Sequence, residues 1–284
     1  MALTANNGNY VFVQAAANST ALTITPATLI YTADAASRLY GAANPPLGGA
    51  VTGFVNAETL VNATTGAASF TTLATTASNV GSYLVSGSGL AANNGNYVFV
   101  QAVANGTALT ITPTTLTYVA DAATRPYGAA NPALSGTIVG FAGSDTLANA
   151  TGGTLGFSTL ATTASNVGSY LITGAGLTAN NGNYTFVQAA ANSTALTITP
   201  ASLTLVYTAD GATRVYGAAN PTFTGTVTGF VGTDTQANAT TGTLVFTTLA
   251  NTASNVGSYL ITGSGLTANN GNYLFTQADR KSVV

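Results

Sequence analysis

Asn93-Asn94-Gly95-Asn96-Tyr97, continued by Val98-Phe99-Val100-Gln101, is the stretch from which the rest of the chain can be read. Asn-Gly accepts the positive φ angles of a type I′ turn, and here it stands between two β-favouring runs, SYLV at 82–85 and NYVFV at 96–100. A hairpin is the expected local element. The pentapeptide NNGNY ends at Tyr10, Tyr97, Tyr184 and Tyr273, at spacings of 87, 87 and 89 residues. A second marker, YGAANP, begins at Tyr40, Tyr127 and Tyr216, spaced 87 and 89. The two additional residues fall where ATLIYTAD (27–34) has become ASLTLVYTAD (201–210). An insertion of two keeps side-chain alternation in phase, so a strand is expected there.

Repetition at a fixed period sets the domain count before other considerations. Residues 1-22 read as the C-terminal part of a preceding repeat. Residues 23-109 and 110-196 are two full repeats, 197-278 is a third that departs from the pattern after Gln277, and 279-284 is a non-repeat tail holding the only lysine, Lys281. A unit of this length exceeds a solenoid coil and approaches a small domain, which favours beads on a string. LTIT at Leu22, Leu109 and Leu196 alternates as a half-buried strand does. Ala-rich stretches such as QAAANSTAL show no apolar stripe of helical period and read as loops entering strands, while DAASR (34–38) admits one helical turn. The fold expected is mainly β: an elongated tandem array of small antiparallel β-sandwich or β-grasp-like modules. The N-terminal segment also carries the final strand that the third repeat lacks, so it is suited to complete that repeat in another copy by strand addition.

Composition narrows the function. Hydrophobic residues make up 46% of the 284, enough for small cores, but charged residues only 4% against roughly 25% in ordinary domains. Thr, Ser, Asn and Gly must therefore carry the surface. A net charge of −2 without a basic cluster lacks the electrostatic footprint of nucleic-acid binding. Mean hydropathy is +0.34, yet Thr, Asn or Gly interrupts every apolar run, so membrane insertion is not expected. Residues 1–10 lack the basic start and apolar core of a signal peptide, and any export signal is expected outside this sequence.

The parts needed for catalysis are scarce. With neither His nor Cys, a Ser or Thr nucleophile would depend on Lys281 or a carboxylate as base, so the chain reads as non-enzymatic, without cofactors or metal. Each repeat holds one Arg and two acids: Asp34, Arg38 and Glu58; Asp121, Arg125 and Asp145; Asp210, Arg214 and Asp234. The first acid of each set precedes the Arg by four residues, and these three pairs are expected to be ion pairs. Two carboxylates per repeat fall short of the oxygen ligands calcium requires, and no DxDxDG loop is present. Asn-x-Ser/Thr triplets stand at Asn18, Asn62, Asn105, Asn149, Asn192 and Asn238, candidates for glycosylation. The recurring aromatic pair, Tyr40 with Tyr83, fits either a core position or a sugar-stacking platform.

The repeated motifs carry a resemblance. Tyr40-Gly41 with Asn44-Pro45, and Asn79-Val80-Gly81-Ser82-Tyr83, return at Tyr127, Asn131, Pro132 and Tyr170, and again at Tyr216, Asn220, Pro221 and Tyr259. Together with TGFV and GLTANNGNYxFVQ, this set resembles the MBG repeat (mostly bacterial, glycine-rich), found in tandem in large, filamentous-haemagglutinin-like bacterial adhesins. The resemblance implies an extracellular or outer-membrane-associated stalk that projects a distal binding domain. An alternative is that the repeats themselves bind host or neighbouring-cell glycans or proteins, or one another, in cell aggregation and biofilm. It implies no catalytic residue.

Overall fold

The computed structural model describes residues 3–277 and 281–283, so the tail expected at 279-284 lies partly outside the described residues. The chain divides into two compact units. The first comprises Met1–Thr114 and Asn181–Asn183; the second comprises Thr115–Asn180 and Tyr184–Val284.

The first unit contains one complete β module. Its strands are β1 (Ala27–Ala33), β2 (Ala36–Leu39), β3 (Gly49–Thr52), β4 (Thr64–Thr71), β5 (Gly81–Tyr83), β6 (Ser86–Ala92), β7 (Tyr97–Gln101) and β8 (Leu109–Thr112). A single helical turn, α1 (Leu60–Ala63), precedes β4. Three small sheets result, in the orders β3-β1-β7, β2-β8-β5 and β4-β6. The mainly β, tandem architecture is the one expected from the period. Within it, however, β1 pairs with β7 in parallel (Leu29 opposite Phe99) and β2 pairs with β8 in parallel (Arg38 opposite Ile111). Parallel neighbours require long connections, which is why these pairings are invisible to a search for local turns.

Asn94 and Gly95 do take positive φ, 57° and 68°, as the turn chemistry demands. The expected hairpin does not follow. β6 pairs with β4, while β7 crosses to β1 in another sheet, so the Asn-Gly turn is a corner between sheets. The helical turn that 34–38 admits does not form: Ala36–Leu39 is a strand, because its backbone pairs with β8.

The core is built from alternate residues of these strands. Leu29, Val85, Leu109 and Ile111 are fully or almost fully buried. Tyr31 lies edge-on to Phe70 at 6.1 Å and tilted over Phe99 at 5.4 Å. Gly87 passes directly beneath the Tyr31 ring, where a β-carbon would overlap it. Gly174 under Tyr118 and Gly263 under Tyr207 repeat the contact. The aromatic thus occupies space vacated by the glycine, the means by which so Gly-rich a chain builds a close-packed interior.

β8 is the closing strand of its own module, inserted between β2 and β5. The division at 109/110 expected from the period falls inside this strand. One proline, Pro113, separates Thr112 from the first strand of the next module, Thr114–Ala120.

In the second unit the same plan appears twice. Leu196–Thr199 closes the first of these modules between Ala123–Pro126 and Gly168–Tyr170. The last module differs at two places. Its first strand starts at Leu205, and the two inserted residues are accommodated in a bend at 202–203 with Leu203 exposed, so the insertion is looped out before the strand. Ala201 and Leu205, both buried, nonetheless take the places of half-buried Ala27 and buried Leu29. Second, residues 212–215 form no strand, and among the described residues the edge Ser258–Leu260 pairs only with Lys281–Val283.

Candidate functional site: the joint between modules

The arginines of the first two modules, Arg38 and Arg125, are internal struts. In β2 the strand alternation turns Arg38 inward, and only 7% of it is exposed. Its Nε donates to Asn44 Oδ1 at 2.7 Å, one terminal nitrogen donates to the Leu39 carbonyl at 3.1 Å, and the other to the Thr75 carbonyl. Asn44 then donates to the Ala74 carbonyl at 2.6 Å. Arg125 with Asn131 and Arg214 with Asn220 repeat the arrangement. The ion pairs expected for Asp34–Arg38, Asp121–Arg125 and Asp210–Arg214 are therefore corrected. A four-residue spacing brings side chains together on a helix, whereas on an extended chain it separates them by about 13 Å. Asp121 and Asp210 instead accept from Ser135 and Thr224, both at 2.7 Å.

The YGAANP motif begins as a tight turn. The Ala42 amide donates to the Leu39 carbonyl at 3.2 Å, and Gly41 at the third position has φ +81°, the value that a type II turn reserves for glycine. Pro45 follows in the irregular segment that Asn44 anchors. Tyr83, Tyr170 and Tyr259 each donate to the carbonyl four residues earlier, those of Asn79, Asn166 and Asn255. Tyr40 and Tyr127 are buried, 9% and 8% exposed, whereas Tyr216 is 66% exposed.

Inside the second unit, the reason for the burial of Tyr127 is visible. Its hydroxyl donates to Asp234 Oδ2 of the following module at 3.0 Å, and its ring meets Tyr273 edge-on at 5.5 Å. Tyr273 donates to the same Asp234 oxygen at 2.6 Å and accepts from the Val231 amide at 3.0 Å. Gly128 lies against Val231, so close that a β-carbon would come within 2.5 Å of it. Burial and the neighbouring carboxylate raise both phenols above the usual tyrosine range. Beside them, Asn272 reaches across: its Oδ1 accepts from the Val167 amide and its Nδ2 donates to Asn166 Oδ1, both at 2.9 Å. The same clamp operates within the first unit, where Asn183 joins Val80 and Asn79 at 2.9 Å.

The second acid of each repeat is thus a tyrosine acceptor, a role that the residue counts did not reveal. Tyr97 donates to Glu58, and Val55 donates to Tyr97 at 3.1 Å. Nor did the asparagine triplets indicate their function. Asn105 and Asn192 are wholly buried. Asn105 accepts from the Ala33 amide at 2.8 Å and donates to the Tyr31 carbonyl at 3.0 Å and to Gln101 at 2.9 Å. Asn62, Asn149 and Asn238 cap the short helical turns by accepting from the amides of Thr59, Thr146 and Thr235.

Repeated β modules, two of them joined inside the second unit by polar contacts, define a tandem structural array. The MBG domain (YGX type) matches at residues 29–110, 116–194 and 205–281, and the chain belongs to that family. The Tyr-Gly of that description is the pair at Tyr40, Tyr127 and Tyr216. No curated protein and no solved structure matches the chain. Family membership points to an extracellular or surface protein built of repeats. Among the described residues, no helix is long and apolar enough to cross a membrane, and no group of three or more acidic residues is placed to hold a metal ion.

Proposed function

We propose that the modules are a non-catalytic spacer in an exported or cell-surface adhesin, setting the distance between the surface and a distal binding domain. The observation that carries this reading is the joint in the second unit. Tyr127, Asp234, Tyr273 and Asn272 connect successive modules by directional hydrogen bonds, and only residues 200–204 separate the strand that closes one module at Thr199 from the strand that opens the next at Leu205. A linker that short, combined with specific contacts, limits hinge motion, which is what a spacer requires. Small-angle scattering on dilute protein tests this. A radius of gyration above about 30 Å is expected for three modules end to end, and a value of about 19 Å, that of a compact chain of this length, would overturn it.

A second reading makes the repeats themselves weakly adhesive. It draws on Leu73, Leu160 and Leu249, which occupy the same place in each module and are 99%, 98% and 100% exposed. Leu84, Leu171 and Leu260 are half exposed as well. An apolar contact too weak to hold alone gains strength when presented three times. Replacing the three fully exposed leucines by serine should abolish cell aggregation under this reading and leave it unchanged under the first.

A further inference from the structure

Beside the loop that follows β4, the first module holds an open cleft of about 450 Å³, with Thr71, Leu73, Ser78, Tyr83, Leu84 and Ser86 in its walls. That volume lies in the range of small-molecule sites, about 300–1,000 Å³. A standard protein interface covers about 800 Å² on each partner, more than a cleft of this size presents. Among the described residues, none that lines it is charged. Arg38 reaches the Thr75 carbonyl of the same loop, but it is buried and its other donors are committed to Asn44 and the Leu39 carbonyl. A small, uncharged occupant is the one that suits these walls.

The polar groups of the cleft are hydroxyls. Thr71 and Ser86 stand directly opposite each other across β4 and β6, which places their β-carbons about 4.5–5.5 Å apart. Among the described residues neither hydroxyl has a partner within the protein, so each has one proton to donate and two lone pairs to offer. Ser78 accepts from the Thr75 amide at 2.9 Å and keeps its own proton to donate. Thr72 is occupied, since it donates to the Leu84 carbonyl at 2.7 Å and accepts from the Ala74 amide at 3.2 Å. The apolar wall is the half-buried Tyr83 ring, held by its bond to the Asn79 carbonyl, together with Leu73 and Leu84.

The set recurs in the other modules. Ser158 faces Thr173 and Thr247 faces Thr262 across the corresponding strand pairs. Ser165 and Tyr170, then Ser254 and Tyr259, follow at the matching places in the sequence. Neighbouring strand positions have diverged, Ala67-Ala68-Ser69 corresponding to Thr154-Leu155-Gly156 and to Thr243-Leu244-Val245. Leu73, Leu160 and Leu249 are almost wholly exposed, so internal packing does not account for a leucine at each of these places. We propose that the cleft and its copies bind an uncharged saccharide: a sugar ring lies with its C–H face against the tyrosine and leucines, and its adjacent hydroxyls bridge the Thr71–Ser86 pair or the equivalent pair. A neutral sugar matches both walls at once, having an apolar face and a rim of groups that each donate and accept. The proposal rests on the second reading above and gives it a ligand class, and repetition along the chain converts a weak site into avidity.

A printed array of neutral and acidic glycans, probed with the full chain, tests it. Neutral glycans should bind, and sialylated or sulfated ones should bind no better. The neutral glycan that binds most tightly then serves as the probe for a variant carrying Thr71→Val, Ser86→Ala, Ser158→Ala, Thr173→Val, Thr247→Val and Thr262→Val, which removes only hydroxyls from exposed or half-buried strand positions. Binding should fall at least tenfold while the circular dichroism spectrum and thermal midpoint stay as in the parent. Absence of neutral-glycan binding, a preference for acidic glycans, or a variant that binds as the parent does would overturn the proposal. Amide shifts of the unaltered chain on adding the same glycan give a readout that does not depend on the variant folding: they should centre on Thr71, Ser78, Tyr83 and Leu84 and their copies, and shifts centred elsewhere would equally overturn it. The leucine-to-serine test of cell aggregation is separate. Aggregation lost in that test without any neutral-glycan binding would sink the saccharide and leave the adhesive reading standing, whereas aggregation unchanged would sink the adhesive reading itself.

Discussion

Tyr127 of one module and Tyr273 of the next donate their hydroxyls to the same oxygen of Asp234, at 3.0 and 2.6 Å, with their rings edge to face and their centroids 5.5 Å apart. Both phenols are shifted upward, so the folded state holds their protons more tightly than the unfolded chain does. The contribution of the joint is therefore complete below about pH 10, the ordinary phenol value, and is lost as pH rises from there towards the raised values. Thermal unfolding followed from pH 8 to 11.5 should show a decline above pH 10. The decline should be shallower in Tyr127→Phe, which also costs about 1 kcal/mol at neutral pH through its lost hydrogen bond.

Asn105→Ala leaves the Ala33 amide and the Tyr31 carbonyl without their side-chain partner in a site closed to water. The expected loss is about 2–4 kcal/mol, one unpaired buried group adding to another. Denaturant titration measures it. The same burial predicts that a glycosyltransferase acting on the folded protein leaves Asn105 and Asn192 unmodified while Asn18 stays accessible; peptide mapping that finds a sugar on Asn105 would contradict it.

How far the fold was legible depended on the range of the interaction. The period, the turn at Asn94-Gly95 and the alternation of LTIT are local and could be read directly. The partner of each strand could not. β7 lies beside β1, about seventy residues away, and nothing in a list of strands distinguishes that pairing from a hairpin with β6. Arg38 misled for a related reason. Its four-residue distance from Asp34 has meaning only on a helix, and the inward turn of β2 sends the guanidinium to Asn44 and to carbonyls. The joint was half visible: Tyr40-Gly41 and its copies were marked as a motif, but the role of Asp234 depends on two tyrosines, one of them 107 residues away.

Gly87→Ala, or Gly174→Ala in the next module, drives a methyl group into the ring of Tyr31 or Tyr118. Overpacking of this kind costs about 1–3 kcal/mol. Near-ultraviolet circular dichroism should show the tyrosine signal weakened. An unchanged spectrum and midpoint would mean that the ring has room to move.

Arg125→Lys keeps the charge and loses the fork. A single ammonium cannot reproduce the three donors directed at Asn131, Pro126 and Thr162. A loss of about 2 kcal/mol is expected. The same change at Arg214, which is only half-buried, should cost less; denaturant midpoints of the two variants provide the comparison.

Because β8 closes its own module and Pro113 alone precedes the next strand, a cut at this proline leaves every strand of the first module on one side. Inside the second unit, the module closed at Thr199 presents Tyr127 to its successor, and the successor presents Asp234 and Tyr273 in return. Adding or removing one whole period of 87 residues would leave the order of Tyr-Gly and acidic positions along the chain unchanged.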